Sequence, residues 1–213
     1  MRVYHFISSR FGLEAIVNRQ LKVARIVSLN DPFEYLQYQT DNYVARFLLR
    51  ERRNRMNKHW GVLCFSANYT NPVQWAHYAD SHRGMCLGFD LPDDQLLKIE
   101  YVRERSSFSE FQEALKLGET EFLTHMLSKK FEHWAYEEEY RALHRFGEKK
   151  TNTALCFAPF TPHMQLKEVF VGVRFDGDRK ELRTTLRRFD STIRPLPVFV
   201  SPSEFRLTRI VSP

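Results

Sequence analysis

The chain has 213 residues, 43% hydrophobic and 14% aromatic. That composition belongs to a globular chain rather than a disordered one, sized for a single domain, residues 1–213, with a full core. No apolar run approaches the roughly 20 residues of a membrane span, and the net charge of +6 admits an anionic partner, nucleic acid or a dinucleotide, without requiring one.

In chain order, Val3-Tyr4-His5-Phe6-Ile7 reads as a first strand with no signal-peptide core behind it, so a cytoplasmic location and no membrane partner are expected. Arg10 to Arg19 has the apolar spacing of a helix, with Phe11, Ile16 and Val17 on one side. Leu21 to Leu29 reads as a short strand pair closed by the turn Asn30-Asp31-Pro32. Asp41 to Lys58 is expected to be a basic helical insertion. Gly61 to Ser66 is a buried strand, and Asn71 and Pro72 carry the cap and first position of a helix to Asp80. Gly84 to Asp90 is another buried strand, followed by a turn at Pro92-Asp93-Asp94. Phe108 to Lys130 is expected to be one amphipathic helical segment. A polar loop over Gly147 to Asn152 and a strand near Ala154 to Phe157 come next. Leu166 to Val173 is a strand, Asp178 to Arg188 a helix, and Ile193 to Val200 with Phe205 to Ile210 close the sheet. The whole is an α+β domain with a mixed sheet. Cys64, Cys86 and Cys156, far apart and in apolar company, are expected to be reduced core thiols rather than a disulfide framework or a metal site.

Several chemistries leave no trace. There is no glycine fingerprint for a dinucleotide or phosphate loop, no serine-hydrolase elbow and no zinc-spaced histidine or cysteine pattern, so no metal is expected. The most informative stretch is Trp134-Ala135-Tyr136-Glu137-Glu138-Glu139-Tyr140-Arg141-Ala142-Leu143. Read as a strand, its alternation puts Glu137 and Glu139 on one face, where like charges raise each other's pKa. Such a pair binds a sugar hydroxyl, stabilises a cationic transition state or activates a nucleophile; the plain alternative is a solvated strand end.

The opening strand, the turn Asn30-Asp31-Pro32-Phe33-Glu34, Phe65-Ser66 followed by Trp75-Ala76-His77-Tyr78-Ala79, the strand after Gly84 and Tyr136 to Arg141 together carry a resemblance. They resemble a widespread bacterial family of domain-of-unknown-function proteins often carried near phage-defence genes. The order of these landmarks is in turn similar to the ADP-ribosyltransferase fold. That resemblance implies a mixed, mostly antiparallel split sheet with peripheral helices, and three signature positions on three strands. They fall on His5, Ser66 and Glu139. It implies NAD as substrate, with His5 orienting a ribose, Ser66 holding the ribose or the glutamate, Glu139 stabilising the cationic sugar, and Glu137 activating the acceptor. Phe6, Trp75 and Tyr78 join His5, Ser66 and Glu139 as expected NAD contacts, while Arg141 is expected to pair with a carboxylate. Glu139→Gln is expected to leave the fold stable. The run Ser66-Ala67-Asn68 departs from the Ser-Thr-Ser of the family pattern.

The implied activity is transfer of ADP-ribose to a macromolecule, nucleic acid being favoured, by a toxin or phage-defence effector. The acceptor is then nucleic acid or protein, with an antitoxin or partner protein in the same context. Arg50, Arg52, Arg53 and Arg55 on the basic segment are the expected nucleic-acid contacts, against the alternative of a solvated helix. Two other readings stay open: an NAD glycohydrolase, and an inactive nucleic-acid or protein binding module.

Overall fold

The computed structural model describes residues 1–147 and 155–209. Strand β1 (Arg2–Ile7) leads into α1 (Ser9–Asn18), whose first turn is capped by the Ser8 hydroxyl accepting from the Phe11 N–H. Short strands β2 (Gln20–Lys22) and β3 (Ala24–Arg25) follow, and a 3-10 turn over Ile26–Ser28 replaces the end of the expected strand pair. Helix α2 (Tyr43–His59) starts where Asn42 accepts from the Val44 and Ala45 N–H groups. Then come β4 (Trp60–Ser66), α3 (Pro72–Tyr78), β5 (Met85–Asp90), β6 (Leu97–Lys98) and β7 (Glu100–Val102).

The segment expected as one helix to Lys130 is broken. It forms α4 (Phe108–Ala114), α5 (Glu119–Met126) and a strand β8 (Lys129–Phe131). Gly118 separates the helices, where its N–H binds the Glu121 carboxylate as α5 starts. Apolar Phe111, Ala114, Phe122, Leu123 and Met126 are buried on both sides of the break, so the amphipathic pattern survives a change of axis that periodicity alone does not reveal. The chain ends with β9 (Glu139–Arg145), β10 (Phe157–Pro159), β11 (Gln165–Val171), α6 (Arg179–Phe189), β12 (Pro195–Val200) and β13 (Leu207–Arg209). The expected polar loop lies largely outside the described residues.

The architecture is α+β with an open, mostly antiparallel sheet. Eight strands run in the order β13-β12-β11-β5-β1-β4-β9-β6, and β3 adds to β4 as the ninth. Within that order β11 and β12 are parallel. Strand β1 pairs with β5 along its whole length, from Arg2↔Asp90 to Ile7↔Met85. Against β4 it pairs only at Tyr4↔Ser66. The ladder therefore opens between β1 and β4, near the middle of the sheet, and a single side chain spans the opening: His5 Nδ1 lies 2.9 Å from the Cys64 carbonyl oxygen.

Three buried clusters support this sheet. One packs α1 and α6, through Ala15, Ile16, Leu182 and Leu186, with Val3, Met85, Leu87, Phe89 and Val169. A second joins Ala45, Leu49 and Met56 of α2 to Phe111, Phe122, Leu123 and Met126. The basic helix is thus a structural wall of the second core. A third holds Trp75, Ala79, Cys86, Phe170 and Val198. Fully burying a side chain such as Leu49 or Met56 contributes about 2 kcal/mol, which is enough to seat a helix whose other face carries like charges. No described helix is long and apolar enough to cross a membrane.

Candidate active site

The sheet register places Tyr4, Ser66 and Glu139 in one row across β1, β4 and β9, through Tyr4↔Ser66 and Ser66↔Glu139. The opening between β1 and β4 becomes a cleft with a cavity of about 120 Å³. Its lining includes His5, Phe6, Ser66, Tyr78, Glu137 and Glu139. Residues more than a hundred positions apart thus meet in one place.

The carboxylates arrive by an unexpected route. Glu132–Glu137 is a 3-10 turn, not strand, and Glu138 has the left-handed backbone φ 45°, ψ 49°. Strand β9 begins only at Glu139. Glu137 and Glu139 nonetheless reach one site, because the left-handed residue between them turns the chain as it enters the sheet. Glu138 is the odd one out: its carboxylate accepts from Asn68 Nδ2 at 2.9 Å on the surface.

Behind the cleft lies a buried cluster of five charged groups, Glu34, Lys130, Glu137, Glu139 and Arg141, each at most 6% exposed. Arg141 makes two forks. It donates to Glu34 at 2.8 and 2.6 Å and to Glu139 at 2.7 and 2.9 Å, and it also donates to the Leu127 carbonyl at 3.1 Å. Lys130 donates to Glu137 at 2.5 Å and Glu139 at 3.2 Å, with Glu34 at 3.5 Å. Its ammonium also sits 4.9 Å from the centre of the Trp134 ring. Three carboxylates face two cations, so the fully ionised cluster carries one uncompensated negative charge.

The two cleft glutamates have different acidities for identifiable reasons. Burial alone pushes Glu139 up, but the charge and hydrogen bonds of Arg141, with Lys130, outweigh it and hold the carboxyl at about 2. Burial wins at Glu137 and raises it, against the pull of Lys130 and Tyr78. Mutual repulsion is the smaller contribution at Glu137, so the expectation that the pair raises each other is corrected: one goes up, the other down. Burial depresses Lys130, yet its three carboxylate neighbours reverse the sign and raise it.

The remaining cleft side chains are positioned in turn. Tyr78 donates to Glu137 at 2.5 Å and accepts from Asn30 Nδ2 at 2.7 Å, and its phenol is raised by burial and by that carboxylate. The His5 imidazole is lowered by burial and is therefore neutral near pH 7. With Nδ1–H donated to the Cys64 carbonyl, Nε2 is left as an acceptor. Tyr101 accepts from the Glu139 backbone N–H at 2.8 Å, which fixes the start of β9.

Two expected contacts do not behave as the sequence suggests. Trp75 is fully buried in the third core, with Nε1 donating to the Tyr69 carbonyl at 2.6 Å; it does not line the cleft. Ser66 does line it, but its hydroxyl is already committed. It donates to the Asn68 carbonyl at 3.0 Å and accepts from the Asn68 N–H at 2.9 Å and from Gln74 Nε2 at 3.0 Å. Gln74 also donates to the carbonyls of Tyr136 and Glu137. Ser66 thus holds the 3-10 turn in place and has no group spare for a ligand.

The four α2 arginines expected to contact nucleic acid also divide. Arg52 donates to the Leu115 and Leu117 carbonyls and lies 3.8 Å over the Phe122 ring. Arg53 is half-buried, whereas Arg50 and Arg55 are exposed. None of the four lines the cleft.

Sequence reasoning missed Lys130 and Glu34. Lys130 was hidden inside an apparent helix, and Glu34 stood in a recognised turn without a role. Among the described residues no group of three or more His, Cys, Asp or Glu side chains is arranged to hold a metal ion. No protein-family model, curated protein or solved structure matches the chain.

Proposed function

We propose that the protein is an NAD-dependent ADP-ribosyltransferase acting on a macromolecular acceptor. The observation that carries this reading is the pair Glu137 and Glu139, one held ionised and one raised, in a cleft at the opening of the sheet beside a neutral His5. Breaking the bond between nicotinamide and ribose leaves a cationic sugar carbon. With Glu137 ionised, the one uncompensated negative charge of the buried cluster favours a cation at the cleft, in a setting where water screens little. Glu137 lies closest to a proton-transfer role, since a carboxyl raised toward neutrality both accepts and returns a proton. Glu139 keeps its charge and orients Lys130, which in turn orients Glu137. His5 offers Nε2 as an acceptor for a sugar hydroxyl.

The dimensions support partial entry. Pockets that enclose whole ligands run to roughly 300–1,000 Å³, so a cavity of about 120 Å³ admits the nicotinamide end, with the adenylate half lying outside. The resemblance in the sequence to families near phage-defence genes supports a toxin or defence effector as the biological setting.

The deciding experiment incubates the protein with NAD labelled in the adenylate half, with and without cell extract. Label transferred to nucleic acid or protein, and lost in Glu137→Gln, supports transfer. Free nicotinamide without transferred label indicates a glycohydrolase. No consumption of NAD under either condition removes the enzyme reading.

A further inference from the structure

A second and larger cavity, about 310 Å³, opens on the other side of the Glu34–Lys130 pair; those two residues line both spaces. Its walls come from the turn Asp31 to Gln37 and from the ends of the parallel strands β7 and β8. Nothing in the proposed NAD chemistry uses it.

Three features of its lining point to one ligand chemistry. Phe33 and Phe131 line it while remaining 55% and 40% exposed. Large aromatic side chains left open to water at the mouth of a cavity are the usual platforms for unstacked bases. Arg105 lies over Phe33 at 4.8 Å, and the Lys129 ammonium donates to the Ser106 hydroxyl at 3.0 Å. Neither takes part in an ion pair among the described residues, so both charges remain for a phosphate. Gln37 is 7% exposed, and its Oε1 has no hydrogen-bond partner. Its amide cannot turn round to cure this, because Nε2 donates to the His125 carbonyl at 3.2 Å. A buried acceptor left unmet costs about 1–3 kcal/mol, and Gln37 is among the residues that line this cavity.

We infer that this cavity seats an unstacked nucleobase carrying an exocyclic amino group, with its 5′-phosphate toward Arg105 and Lys129. The amino group donates to Gln37 Oε1, and the base lies against Phe33 and Phe131. A base held there sits directly across Glu34 and Lys130 from the cleft carboxylates. The inference concerns binding alone and stands whether or not NAD is cleaved.

The test is calorimetric titration of the whole protein with AMP, with the 6-unsubstituted purine riboside monophosphate, and with a single-stranded dA12 oligonucleotide. AMP is expected to bind roughly tenfold more tightly than its analogue, which lacks only the amino group. Gln37→Leu should erase that preference. Phe33→Ala and Phe131→Ala, both at exposed positions that leave the fold intact, should each weaken binding by about fivefold or more. Tighter binding of dA12 than of AMP, weakened by Phe33→Ala and Phe131→Ala, assigns the cavity to a nucleic-acid strand, and equal binding assigns it to a free nucleotide. Absence of binding by all three probes overturns the inference. So does binding that the Phe33, Phe131 and Gln37 variants leave unchanged.

Discussion

Lys130 reaches Glu137 at 2.5 Å from the middle of the three-residue strand β8, across only seven positions of sequence. The 3-10 turn between them folds the chain back on itself, so the ammonium and the carboxylate meet in a space closed to water. Lys130 also bonds Glu139, so one ammonium holds both cleft carboxylates.

The two glutamates are therefore expected to respond differently to the same substitution. In Glu137→Gln the amide oxygen still accepts from Lys130, while the amide N–H takes the place of the oxygen facing Tyr78, whose hydroxyl can turn to accept it; the amide stands in for a carboxyl whose pKa burial raises. The fold should hold within about 1 kcal/mol while NAD cleavage is lost. Glu139→Gln puts an amide N–H donor against Arg141 or Lys130, both donors. Breaking a buried pair of this kind costs roughly 3–5 kcal/mol, so Glu139→Gln should lose stability by about that much, against the stable fold expected from the sequence. Urea denaturation of both variants checks the contrast; equal stabilities would refute it.

Lys130→Met should raise Glu137 further, because it removes the cation that opposes the effect of burial. The variant leaves the cluster with two uncompensated negative charges, and it should lose stability by several kcal/mol. A carboxyl-region NMR titration reads the shift directly. A Glu137 pKa that stays in place or falls would show that Lys130 does not control it.

How much of this was legible in the sequence depends on what each residue leaves as a trace. The apolar runs of β4 and β5 announce buried strands, and the Asn71-Pro72 start of α3 follows from cap chemistry. The pairing of Arg141 with a carboxylate was also readable, since a lone arginine beside three glutamates in an inward-facing strand has few other partners. The 3-10 turn was not readable. Its Glu-rich sequence alternates as a strand would, and only the left-handed backbone at Glu138 ends the turn. Lys130 was invisible for a related reason: a lysine is almost never fully buried without partners, and its partners come from Glu34, Glu137 and Glu139. The commitment of the Ser66 hydroxyl depends on Gln74, eight residues on, and shows only once α3 packs against the 3-10 turn.

The cleft also fixes how stability should respond to acid. Glu139 is held at about 2 against an ordinary 4.5. A carboxylate with a depressed folded pKa stabilises the fold above its unfolded value and loses that contribution as pH falls toward the folded one. The loss therefore runs from about pH 4.5 down toward 2, and amounts to on the order of 3 kcal/mol. His5, also depressed, adds stability above its ordinary 6.5 and loses it as pH falls through its folded value. Glu137 has the opposite sign. Being raised, it contributes most below 4.5 and loses that contribution as pH rises through its folded value. Urea midpoints between pH 3 and 8 should fall on the acid side in the parent protein, and Glu137→Gln should flatten the loss on the rising side. A parent protein whose stability is indifferent to pH below 4.5 would refute the Arg141–Glu139 account.

The arginines of α2 supply a last contrast. Reversing Arg52 cannot serve as a clean test of nucleic-acid contact. Its guanidinium bonds two carbonyls near the end of α4 and lies over Phe122, so Arg52→Glu should destabilise the fold by about 1–3 kcal/mol whatever the protein binds. Arg50 and Arg55 are exposed on the same helix, and a surface charge reversal there should change stability by less than about 0.5 kcal/mol. If nucleic acid crosses this face, Arg50→Glu with Arg55→Glu should weaken binding by more than tenfold at moderate salt and make the salt dependence shallower, because each lost phosphate contact retains one more counterion. The affinity of AMP for the second cavity should stay the same, since none of its lining residues lies on α2. Nucleic-acid affinity that survives both reversals with an unchanged salt slope would take α2 out of the binding path.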